Sequence, residues 1–205
     1  MEKPPAVVVF DVNIYVDLAE LIEQPFDWGK LEAAAAGYWN DPLPHHRNAR
    51  YDSLRAVLMS KSGHVGTGER LEVWTSEHID NLVIKKVQEK AIDTKNSVWT
   101  PENAEGLHDE LVNALVYDMT GGGSTGRVLA PLNNPPLDRE DGCVMRTAES
   151  AGDVPESPRY CITRDRPFRD ACRRRELEPS VQVLYPHEWV TALRQARRPR
   201  IGPMR

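Results

Sequence analysis

The sequence predicts an α/β fold with a mainly parallel central sheet covered on both faces by helices. The first support is the run Ala6-Val-Val-Val-Phe10, β-branched and aromatic with no polar alternation, as a strand buried on both faces requires. The second is that Leu71–Trp74, Tyr160–Thr163 and Val181–Leu184 are equally short apolar segments, separated by stretches with helical spacing. Strands alternating with helices lead to a parallel sheet. The third is Asp11, which ends the first run at the carboxyl edge of a strand, where open α/β sheets bind their ligands.

After the first strand, Val16, Leu18, Leu21 and Ile22 predict a helix over 14–23, ended by Pro25. Lys30 to Trp39 and Tyr51 to Ser60 read as helices on either side of the turn Asp41-Pro-Leu-Pro-His-His46. Gly63 to Gly68 is a loop before the strand Leu71–Trp74, and Thr75 or Ser76 caps a helix carrying Ile79, Leu82, Val83 and Val87 on one side. Thr100-Pro101 opens a helix running to about Asp118, with proline at its first position. Gly121 to Gly126 breaks the pattern, Val128–Leu132 is a candidate strand, and Asn133-Asn-Pro-Pro136 is a turn. Asp141 to Ala151 and His187 to Ala196 are the remaining predicted helices.

The 205 residues suit one α/β domain over 1–198, with an enlarged first connection at about 25–70 and a basic tail at 199–205. No apolar stretch approaches the length of a bilayer span, which predicts a protein without membrane contact. Cys143, Cys161 and Cys172 are odd in number and lack CxxC spacing, which suits free thiols in a reducing cytoplasm. The net charge of −5 hides an asymmetry: from Arg159 onward there are 12 arginines against five acids, so the preceding part carries −12. An arginine-rich end beside an acidic body is a footprint of a phosphate-bearing partner, and equally of a solvated face.

Three acids follow one topological rule. Asp11 and Asp165 each follow a strand, and Asp141 opens a helix that can start on the same edge. Each alone has a plain structural role: Asp11 and Asp141 as caps, Asp165 as a turn residue before Pro167. Together they would repel one another unless a hard, oxygen-preferring cation such as Mg²⁺ or Mn²⁺ were bound.

The segments Val-Val-Val-Phe-Asp11-Val-Asn13, Asp141-Gly-Cys-Val-Met-Arg-Thr-Ala148 and Tyr160-Cys-Ile-Thr163-Arg-Asp165 resemble the PIN-domain nucleases. That family has a strand ending Asp-x-Asn, an acid at the head of a helix, and a strand ending Ser/Thr-x-Asp. The closing segment Val183-Leu-Tyr-Pro186-His-Glu-Trp-Val-Thr-Ala-Leu193 is also similar to the family's last strand and helix. The likeness spans most of 6–193 and is nearest to the bacterial subgroup with an extra central helix. It implies a three-layer α/β/α sandwich and metal-dependent cleavage of RNA.

By this resemblance Asp11, Asp141 and Asp165 would be the catalytic metal ligands for Mg²⁺ or Mn²⁺, with Asp80 a candidate fourth. Asn13, Asn81 and Thr163 would support them, and Arg164, Arg166, Arg169, Arg173, Arg174 and Arg175 would contact RNA. Self-association, and an inhibitory antitoxin if the chain is the toxin of a toxin–antitoxin pair, belong to the same expectation. One departure stands out. The family carries a glutamate in the helix after the second strand, where this chain has Asn81 preceded by Asp80. That departure supports the alternative of a weakly active or inactive RNA- or protein-binding module.

Other signals point nowhere specific. A phosphatase of the haloacid-dehalogenase type needs an aspartate where Asn13 stands. Gly121–Gly126 lacks the Lys-Ser/Thr of a Walker loop, and the histidines are scattered without metal-ligand spacing.

Overall fold

The structure is a computed structural model that describes residues 3–39, 49–66, 68–89, 98–129, 137–173 and 180–197. Four strands among them, β1 (Ala6–Phe10), β2 (Leu71–Trp74), β3 (Arg159–Ile162) and β4 (Gln182–Leu184), form one sheet in the order β2-β1-β3-β4. Every pairing is parallel: Val8 stands opposite Val73 on one side and Tyr160 on the other, and Cys161 opposite Val183. As the missing alternation requires, β1 is central and Val7 to Phe10 are wholly buried.

Helices cover both faces, giving three layers. α1 (Val12–Leu21), α2 (Trp28–Trp39), α3 (Ala49–Ser60) and α8 (Pro186–Ala196) pack on one another. α4 (Glu77–Gln88) packs with α5 (Pro101–Leu107), and α6 (Arg139–Ser150) lies against β1, β3 and α4. α7 (Arg166–Arg173) lies against β4. The enlarged first connection thus supplies α2 and α3. Trp189 in α8 donates its indole N–H to Ser60 Oγ at 3.0 Å, pinning that layer from within.

Several boundaries differ from the sequence reading. α1 begins at Val12, directly after β1. The helix opened by Thr100 and Pro101 widens into π-type pairing over His108–Met119, a change that apolar spacing does not reveal. α6 starts at Arg139 because Asp138 is the cap, accepting from the Asp141 amide at 2.9 Å. α7 was not predicted: its arginines hide an apolar side made of Phe168 and Ala171. Val128 and Leu129 lie in no strand; residues 130–136, including the predicted turn, are outside the described residues, as are His45, His46 and the tail. The three cysteines are free, and no described helix is long and apolar enough to cross a membrane.

Candidate functional site

Parallel pairing brings the carboxyl ends of β1 and β3 side by side. The Asp11 amide donates to the Ile162 carbonyl at 2.9 Å, and the Thr163 amide to Leu184 at 3.0 Å. Asp11 occupies the position that would cap α1, yet its carboxylate makes no capping bond. It turns across the sheet edge instead. Asp11 Oδ2 accepts from Thr163 Oγ1 at 2.6 Å and from Asn13 Nδ2 at 2.6 Å.

Thr163 is fully buried and fully used. Its hydroxyl donates to Asp11 and accepts from the Asp165 amide at 2.8 Å and from Asn13 Nδ2 at 3.3 Å. Asn13 Oδ1 in turn accepts from the Arg164 amide at 3.1 Å. The Asp-x-Asn and Thr-x-Asp segments are therefore one hydrogen-bonded unit. Asp165 Oδ1 caps α7, accepting from the Phe168 amide at 2.7 Å, so its structural role as a turn acid is realised too.

Asp141 completes the acid group from the first turn of α6. It is half-buried, and its carboxylate has no hydrogen bond or ion pair with a described residue. Burial, and then the charges of Asp138, Asp11, Asp165 and Glu140, push it up to about 7. Burial also pushes Asp11 up to about 6, aided by Asp165 and opposed by hydrogen bonds from Thr163, the Val12 amide and Asn13. The charge of Asp165 thus bears on both Asp11 and Asp141, and that of Asp11 on Asp141. Among the described residues, however, no three His, Cys, Asp or Glu side chains stand close enough to form a ready metal shell.

Asp80 and Asn81 make no hydrogen bond or ion pair with the three acids. Asp80 Oδ1 accepts from Thr75 Oγ1 at 2.6 Å and lies 3.5 Å from His108 Nε2, whose pKa is raised chiefly by that carboxylate. Asp80 is not among the charges acting on Asp11 or Asp141. Asn81 lines a neighbouring cleft with Glu77 and His78.

The arginines divide. The Arg164 side chain reaches inward to Asp17 Oδ1 at 2.6 Å, while Ser53 Oγ donates to Asp17 Oδ2 at 2.5 Å. Asp17 is fully buried, and burial, opposed mainly by Arg164, pushes it up to about 6. Arg169 is buried as well, paired with Glu188 at 2.5 Å and lying 4.8 Å from the centre of the Tyr185 ring. Arg166 is exposed, within 3.3 Å of Asp170. The Arg173 side chain, Arg174 and Arg175 lie outside the described residues.

Sequence reasoning missed Asp17 and His108. Asp17 had a signal: it stands one helical turn beyond Asn13, on the same side of α1. His108 had none, because its partner Asp80 belongs to another helix. Comparison of the chain with protein-family models, with curated proteins and with solved structures finds no match in any of the three.

Proposed function

We propose that this chain is a Mg²⁺- or Mn²⁺-dependent endoribonuclease of the PIN type, with Asp11, Asp141 and Asp165 as its metal-holding acids. The observation that carries the reading is Asp141. A half-buried carboxylate with no described hydrogen-bond partner, disfavoured in its charged form by burial and by the charges of Asp138, Asp11 and Asp165, weakens the fold once it ionises. A hard cation would relieve that repulsion, and an all-oxygen donor set suits Mg²⁺ or Mn²⁺. Since no closed shell is present among the described side chains, the ion itself would have to complete the arrangement.

When bound, such an ion polarises the phosphodiester and lowers the pKa of water. The protein's part is positioning. Thr163 and Asn13 fix the Asp11 carboxylate, and Thr163 also holds the Asp165 backbone, so two of the three acids are oriented before any ion arrives. A toxin role, an antitoxin partner and self-association extend this reading on resemblance alone.

A second reading, a PIN-like module that binds RNA or protein without cutting, is favoured by one specific feature. Asp80, the acid nearest the family's helix glutamate, is engaged by Thr75 and His108, and Asn81 carries no charge. Incubating end-labelled RNA with the protein separates the two. The nuclease reading expects cleavage with Mn²⁺, none with EDTA, and a loss of about a hundredfold or more in Asp141→Asn. Intact RNA under every condition would favour the binding module.

A further inference from the structure

Beside Asp141, the first turns of α4 and α6 and the segment 127–129 enclose a cleft of about 510 Å³, a volume suited to a single nucleotide. Its wall is held in place by the glycine run. The Thr75 amide donates to Gly123 at 3.0 Å, Thr125 to Thr75 at 3.0 Å, and Glu77 to Gly126 at 3.1 Å, so residues 123–126 are laced to the end of β2 and the start of α4. Only glycine serves at 122, where a Cβ would overlap the Val73 carbonyl, and Gly126 has φ +67°. Arg127 and its neighbours therefore leave a fixed base.

Two guanidiniums line this cleft, Arg127 and Arg139, and neither makes a hydrogen bond or ion pair with a described residue. Arg139 opens α6, at the end of the helix dipole that disfavours a cation. The helix dipole does not explain it there. Leu129, also lining the cleft, is 82% exposed, the most exposed large apolar side chain among the described residues. Guanidinium charge and apolar surface for a flat ring thus line one cleft next in sequence to Asp141, together with two carboxylates, Glu77 and Glu140, so a bound anion has to sit on the arginine side.

We propose that this cleft seats one unstacked nucleotide of single-stranded RNA, its phosphate on Arg127 and Arg139 and its base against Leu129 and His78. Glu77 and Asn81, which also line the cleft, offer acceptors for the N–H groups of the base edge. A paired base cannot enter so small a cleft without leaving its stack, so the substrate class is single-stranded rather than duplex RNA. The choice of RNA rests on the nuclease reading; the anion and ring site rests on the cleft itself.

The test is fluorescence anisotropy with a short labelled single-stranded RNA of mixed sequence, in EDTA so that nothing is cut. Arg127→Ala and Arg139→Ala should each weaken binding about tenfold, the range of a charge-assisted hydrogen bond. Each should also flatten the slope of log K against log salt by about 0.7. Arg127→Lys should recover part of the loss, and the matching duplex should compete poorly. Unchanged affinity in both alanine variants, no measurable binding by the wild type, or equal competition by duplex would overturn the assignment.

The two readings fail separately. If Mn²⁺-dependent cleavage is present and both arginine variants bind and cut like wild type, the cleft falls and the nuclease stands. If binding depends on the arginines but no condition gives cleavage, the cleft stands and the nuclease falls. Both arginines are exposed, so thermal melts of the variants should match wild type.

Discussion

Thr163 donates its hydroxyl to Asp11 Oδ2 at 2.6 Å, joining residues 152 positions apart in the chain. This bond diverts Asp11 from capping α1 and aims it along the sheet edge. The same hydroxyl accepts from the Asp165 amide, so one oxygen aligns two acids of the candidate site.

Thr163→Val keeps the shape and removes all of this. A buried carboxylate loses a donor and the Asp165 amide loses its acceptor, so the variant should be destabilised by about 2–3 kcal/mol. Thr163→Ser retains the oxygen and should lose less than about 1 kcal/mol. Urea unfolding of the three proteins checks the order; equal stability of Val and wild type would contradict the hub role.

The acids also set a pH dependence. Asp11 is held at about 6 and Asp141 at about 7 in the fold, both above the ordinary aspartate value of 3.8. A raised folded pKa means that the native state binds more protons than the unfolded chain between those values. Their contribution to stability therefore declines as pH rises from about 4 to about 7 and is fully lost above that. For the fully buried Asp11 the loss is on the order of 2–3 kcal/mol, from about 1.4 kcal/mol per pKa unit. In EDTA, Asp11→Asn and Asp141→Asn should each unfold with a flatter stability–pH curve than wild type over this window. Parallel curves would show that these acids titrate normally.

Arg164 and Arg166 lie two positions apart and should behave oppositely. Arg164→Ala strands the buried Asp17 and should destabilise the protein by roughly 3 kcal/mol, within the range for breaking a buried pair. Arg166 has a largely exposed side chain, and Arg166→Ala should stay within about 0.5 kcal/mol of wild type. Chemical denaturation decides; similar values for the two would remove the distinction between an inward and an outward arginine.

The contrast shows what a sequence can carry. β1 and Asp11 were legible because an unbroken apolar run permits little else than a central parallel strand. The cap of α4 was legible because Ser76 and the apolar side of the helix agree. Asp141 was placed near the right helix end but at the wrong position, because Asp138 offers the same chemistry one turn earlier. The inward turns of Arg164 and Arg169 were not legible, since their partners Asp17 and Glu188 are set by packing between elements. An arginine-rich stretch looks the same in sequence whether its charges face RNA or a buried carboxylate.

The central claim is that Asp11, Asp141 and Asp165 share one divalent cation. Asp141→Asn tests it most cleanly, because the Asp141 carboxylate has no described hydrogen bond to lose and Asn keeps its shape. The measurement is the melting temperature of wild type and variant, in EDTA and again in Mn²⁺. At about a hundred times Kd, a bound ion adds about 2.7 kcal/mol, a rise of roughly 5–10 °C for a chain of this size. The account predicts that rise in wild type, a higher EDTA melting temperature in Asp141→Asn from relieved repulsion, and little further gain with Mn²⁺. A lower EDTA melting temperature in the variant, together with a Mn²⁺ shift equal to that of wild type, would contradict the shared site.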